Sequence, residues 1–115
     1  MESTIEDQRL DAVFTALSDR TRRGIVARLS AGEATVKELA EPYAMSMQAV
    51  SQHIGVLERS GLISRGRERQ TRPCRLEPAT LDVALSWIEE SRRTWSERMD
   101  RLETHLAGLQ ERENQ

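Results

Sequence analysis

The sequence predicts a mainly helical domain carrying one small β-hairpin, in the order α-α-α-α-β-β-α, and three observations support that expectation. Apolar side chains recur at three- and four-residue steps as far as Leu57, the spacing of a buried helix face. Just after Gly61 this period gives way to two short extended stretches, LISR and TRPCRL, on either side of GRERQ. Beyond Pro78 the helical period returns and runs to about Gly108 or further. The 115 residues suit a single domain spanning 1–115, and no linker, repeat or low-complexity segment interrupts the plan.

In the first helix, expected over residues 5–18, Leu10, Val13, Phe14 and Leu17 share one face. Ser18 reads both as its stop and as an N-cap for the next helix, DRTRRGIVARL, whose apolar stripe is Ile25, Val26 and Leu29. SAGE supplies the turn that follows. Thr35 is an N-cap with Glu38 in capping-box register, and Pro42 limits the third helix to about two turns. Ser46 caps the fourth, in which Met47, Val50, Ile54 and Leu57 are expected to face inward and Gly61 to stand just past the end. In the hairpin, Pro73 cannot donate to a ladder, so the second strand is expected at an edge, with Cys74 and Leu76 on one face and Arg75 on the other. The last helix is expected over 79–110, with Pro78 or Thr80 near its first turn.

Residues 35–60 therefore read as a helix-turn-helix, and the basic hairpin at 62–76 makes it the winged variety. In that arrangement the second helix enters the major groove of duplex DNA, leading with its N-terminal residues. Its outward positions are Gln48, Gln52, Gly55 and Arg59, flanked by Ser51 and His53. A glutamine amide matches an adenine edge, a serine hydroxyl bonds a base or a phosphate, and no acid that would repel phosphates occurs before Glu58. The hairpin carries Arg65, Arg67, Arg69, Arg72 and Arg75 against one acid, Glu68, a self-repelling cluster unless a polyanion receives it.

Charge distribution supports the same reading. The net charge is −2, yet residues 1–19 carry −4, residues 20–75 carry +6 and residues 76–115 carry −4. A basic middle between acidic ends suits a surface that meets phosphates on a chain that stays soluble. Aromatic residues at 3% are too few for the stacking platforms of single-strand binders. A polar, acidic N-terminus and the lack of any long apolar run predict a soluble, cytoplasmic chain with no membrane partner. One cysteine permits neither an internal disulfide nor a multi-cysteine zinc site, and Cys74 is expected to be a buried structural thiol. There is no glycine-rich phosphate loop and no His/Asp/Cys cluster, so no catalytic residue, cofactor or metal is expected.

In the last helix Leu81, Leu85, Ile88, Arg92, Trp95, Met99, Leu102, Leu106 and Leu109 follow a 4-3-4-3 spacing, apolar at every position but Arg92. A seam of about four heptads exceeds what so small a domain covers by itself, so a second copy is expected over Leu81, Leu85, Ile88, Trp95, Met99, Leu102 and Leu106. Leu10, Val13, Phe14 and Leu17 of the first helix are expected at the same interface. The competing readings are an interaction module that uses this seam to bind a different chain, and a repressor switched by a metal or a thiol.

The stretch ALSDRTRRGIVARLSAGEATVKELAEPYAMSMQAVSQHIGVLERSGLISR, followed by CRLEPATLDVALSWIEESRRTWSERMDRLE, closely resembles the ArsR family of bacterial winged-helix repressors, over about residues 9–107. It is most similar to the metal-independent branch with a tryptophan-bearing last helix. The resemblance implies a homodimer joined by its first and last helices, binding an inverted-repeat operator and repressing transcription. It implies further that Ser51, Gln52 and their neighbours touch bases while the wing follows the backbone; the expected contact set is Thr35, Ser46, Gln48, Ala49, Ser51, Gln52, His53, Arg65, Arg67, Arg69 and Arg72. Two departures stand out. Metal-sensing members carry paired cysteines in the third helix, where this chain reads TVKELAEPYA, and Arg20 replaces the proline usual after ALSD.

Overall fold

The computed structural model describes residues 4–67 and 72–114. Helix α1 spans Ile5–Leu17, α2 Arg20–Leu29, α3 Val36–Ala40 and α4 Met47–Arg59; strands β1, Ile63–Arg65, and β2, Cys74–Leu76, follow, and α5 runs Pro78–Glu113. The chain divides into two units, Met1–Ala84 and Leu85–Gln115. The first unit holds the core; the second is the remainder of α5.

Helices α1 to α4 each start where a side chain satisfies an orphan N–H group. Thr4 and Asp7 form a capping box at α1, as do Thr35 and Glu38 at α3, and the Ser46 hydroxyl accepts the Ala49 N–H at 3.1 Å to open α4. At α2 the structure corrects the expected cap. Asp19, in an extended conformation, accepts the Arg22 N–H at 3.0 Å, whereas Ser18 is still right-handed helical and its hydroxyl bonds back to the Thr15 carbonyl at 2.6 Å. Helix α4 ends as expected at Gly61, whose φ of +83° suits glycine. The Leu62 N–H reaches the Leu57 carbonyl and the Gly61 N–H the Glu58 carbonyl, the paired bonds of a Schellman ending.

The core gathers Val13 and Ala16 of α1, Ile25, Val26 and Leu29 of α2, Leu39 of α3 and Val50, Ile54 and Leu57 of α4. Leu62, Ile63, Cys74 and Ala84 close it from the hairpin and the start of α5. Met47 departs from the inward stripe expected of it. It is half exposed, because a first-turn side chain points back past the helix end, beyond the layer that covers Val50. In mid-α2, Gly24 gives room to the Tyr43 hydroxyl, which rests where a methyl group would stand, and this contact seats the turn between α3 and α4.

The two strands pair antiparallel with Ile63 opposite Leu76, Ser64 opposite Arg75 and Arg65 opposite Cys74. Pro73 stands just outside the ladder, as a residue without an N–H must. The other edge of β2 is partly covered: Cys74 and Ala34 exchange both backbone bonds, at 2.7 and 3.1 Å, tying the segment before α3 to the wing. Cys74 is fully buried, and burial pushes its thiol above the usual range. No helix among the described residues is long and apolar enough to cross a membrane.

Candidate nucleic-acid interface

The helix-turn-helix presents one polar face. Gln48, Ser51, Gln52, Gly55, Val56 and Arg59 line a shallow open groove along α4, opposite the buried Val50, Ile54 and Leu57. Ser46, Gln48, Ser51 and Gln52 are exposed and Ala49 is half-buried at the helix start. The Arg59 guanidinium lies back over Gly55, where an added methyl group would stand 3.1 Å from Nη1. Glycine thus lets the one cation of this face fold along it. Thr35 is half-buried, and its hydroxyl both accepts the Glu38 N–H and donates to Glu38 Oε1 at 3.0 Å, so that group is committed to the cap.

His53, expected on the flank of this face, turns elsewhere. Its Nδ1 is 3.2 Å from Arg22 Nη1 and 3.8 Å from Asp19 Oδ2. The same guanidinium donates through Nε to the Ala16 carbonyl at 2.7 Å and through Nη2 to the Thr15 carbonyl at 3.1 Å, while Arg23 donates to the Leu17 carbonyl at 2.9 Å. Two arginines of α2 therefore satisfy the last carbonyls of α1, where positive charge is also favoured by the helix dipole. Both arginines escaped the sequence reading; the signal for them was a pair of cations in the first turn of a helix that follows another helix without a loop.

The Asp19 carboxyl is held below its ordinary value, chiefly by the Arg22 N–H it accepts, opposed by desolvation and aided by the charges of His53 and Arg22. A depressed carboxyl contributes stability that is present above its ordinary 3.8 and is lost as pH falls through the folded value. Asp19→Asn, followed by thermal melts across the acid range, should show a smaller acid-side fall in Tm than the parent chain. An identical fall would mean other carboxyls set the acid limb.

The wing differs from a fan of free arginines. Arg65 is largely covered, with Nε 3.8 Å from Glu58 Oε1 on α4, and Arg75 Nη2 is 3.6 Å from Glu33. The repulsion expected of the cluster is thus eased by acids from other elements, which the local sequence did not reveal. Arg65 faces α4 because its register position opposite Cys74 points it to the covered side of the ladder. Arg67 and Arg72 are exposed, and Arg69 lies outside the described residues.

The expected dimer residues separate into two sets. Leu10, Phe14, Leu17 and Leu81 are partly buried against the core of the first unit. Val13 is corrected: it is completely buried within this chain, on the side of α1 turned into its own core. In the second unit Leu85, Ile88, Trp95, Met99, Leu102, Leu106 and Leu109 are all exposed, while Arg92 pairs with Glu89 at 3.6 Å.

A family profile described as a helix-turn-helix domain matches residues 17–65. The transcriptional repressor SdpR of Bacillus subtilis is 32% identical over 79 residues, covering 69% of this chain and 88% of that protein. The arsenical resistance operon repressor of Escherichia coli is 32% identical over 96 residues, 83% of this chain and 82% of that one. A crystallised ArsR family transcriptional regulator superimposes with a TM-score of 0.74 at 35% identity, over 84% of this chain and 97% of its own. The chain belongs to the ArsR family. An ArsR-like regulator from Rhodococcus sp. RHA1, at 27% identity and a TM-score of 0.71 over 83% and 90% of the two chains, shares the fold. For this ArsR family chain, a winged helix-turn-helix transcriptional regulator, the ALSDRTRR stretch has a physical account: Asp19 caps α2 while Arg22 and Arg23 close α1.

Proposed function

We propose that this chain is a homodimeric repressor that recognises an inverted-repeat operator without a metal, with α4 in the major groove and the wing on the backbone or in the adjacent minor groove. The observation that carries the reading is the exposed face of α4. Gln48, Ser51 and Gln52 lead it, no acid interrupts it before Glu58, and Arg59 closes it. The Ser46 hydroxyl accepts from Ala49 and keeps its own proton for a phosphate oxygen. Arg67 and Arg72 are the described wing arginines available for backbone contact, and Arg69 is proposed with them from its place in the sequence. The exposed seam of α5 supports pairing with a second copy, and a related fold, Mb0332 from Mycobacterium bovis, is described as a homodimeric winged helix-turn-helix DNA-binding domain. Two-fold symmetry then places the half-sites about one helical turn, or a multiple of it, apart.

The direct test is a duplex titration with chelator present at about 150 mM salt. DNA from upstream of the protein's own gene is compared with a shuffled duplex; specific binding supports the reading and equal weak binding to both overturns it. Arg67→Ala should weaken binding to every duplex alike and lower the slope of log affinity against log salt by about 1. A change of sequence preference with an unchanged slope would instead make Arg67 a base reader.

A further inference from the structure

The Arg22 guanidinium joins three helices. Nε and Nη2 donate to the Ala16 and Thr15 carbonyls at the end of α1, its own backbone N–H is held by Asp19 at the start of α2, and Nη1 meets His53 Nδ1 of α4 at 3.2 Å. His53 is adjacent in sequence to Gln52, so the two side chains leave α4 about 100° apart. The buried face that α4 turns into the core is apolar, made of Val50, Ile54 and Leu57. Apolar contact resists separation but is non-directional, so by itself it opposes a small roll of the helix only weakly. A hydrogen bond is directional, and one on the flank of α4 opposes that roll. The ionisable groups that face the imidazole in these contacts are Arg22 and Asp19.

We propose that Arg22 and His53 are positioning residues for DNA recognition. The pair fixes the roll of α4 against α1 and α2 and so aims Gln48, Ser51 and Gln52, without touching DNA. This rests on the DNA-binding reading above. It replaces the expected base contact of His53 with an action through the orientation of its helix.

Anisotropy titrations on the operator and on a shuffled duplex, with thermal melts alongside, test it in five proteins: the parent chain, His53→Ala, His53→Gln, Arg22→Lys and the double variant Arg22→Lys/His53→Ala. His53→Ala should weaken operator binding about tenfold and leave shuffled-duplex affinity and salt slope unchanged. His53→Gln, whose amide oxygen can accept from Arg22, should recover most of the loss. Arg22→Lys lacks the fork that serves both α1 and His53, and should behave like His53→Ala, with the double variant no worse than either. A lower Tm with an unchanged operator-to-shuffled ratio would reduce the pair to a stabilising role and overturn the inference. An effect of His53→Ala that Arg22→Lys does not share would make His53 a direct contact, which also overturns it. A parent chain that fails to discriminate the two duplexes overturns the DNA-binding reading itself, before any variant is compared.

Discussion

Leu102→Glu with Leu106→Glu is expected to convert the proposed dimer to a monomer and to abolish operator binding at concentrations where the parent chain is saturated. Along α5, Leu85, Trp95 and Leu106 are 52%, 61% and 51% exposed, and Ile88, Met99, Leu102 and Leu109 are similarly open. Seven apolar side chains at heptad spacing on one exposed stripe are the pattern of a helix that completes its packing on another helix. Burying an unpaired carboxylate in such a seam costs several kcal/mol per charge. Two charges per chain, four per dimer, should raise the dimer dissociation constant by roughly a thousandfold or more. Operator affinity then falls further, since two half-sites are no longer linked in one molecule, an advantage of about 10²–10⁴. Sedimentation equilibrium and anisotropy read the two effects separately. The melt of the Met1–Ala84 unit should hardly move, because none of these side chains belongs to its core. A persistent dimer would place the interface elsewhere.

Gln48→Ala and Gln52→Ala should each cost roughly 1–3 kcal/mol on the operator, about 5- to 150-fold. Each variant should lose discrimination at one base pair per half-site and leave the salt slope as it was, since a neutral amide releases no counterions. The expectation depends on exposure: both amides stand on the open face of α4, and neither has a partner among the described hydrogen bonds. A binding series over operators altered one base pair at a time locates the lost preference. Equal loss on every duplex would mean that the glutamines contact phosphates, and the major-groove assignment of α4 would fall.

Much of the helical framework was legible because it is encoded within four or five residues. The Thr35–Glu38 box, the Ser46 cap, the glycine at 61 and the proline opening α5 each satisfy or remove backbone groups close to themselves in sequence. The inward set Val50, Ile54 and Leu57 followed from helical periodicity in the same way. Met47 and Val13 were misplaced for one reason: periodicity gives the direction of a side chain but not where the neighbouring layer ends. The burial of Met47 depended on what lies beyond the first turn of α4, and that of Val13 on how far α2 and α4 wrap around α1.

The candidate site was legible only as a list. That Gln48, Ser51 and Gln52 share an open face could be read from the sequence, because a single helix determines it. That His53 leaves that face for Arg22, and that Arg65 and Arg75 are met by Glu58 and Glu33, could not. The sequence by itself determined the elements, their caps and the apolar stripes, which arise from short-range backbone chemistry and the helical repeat. Only the tertiary structure decided which charged groups are spent inside the fold and which remain for a partner. Those pairings join residues 7, 31 and 42 positions apart, in Glu58–Arg65, Arg22–His53 and Glu33–Arg75, or cross from one helix end to another, as from Arg22 to Ala16, and depend on how helices dock. Docking is set by the whole core at once, so no local pattern records it.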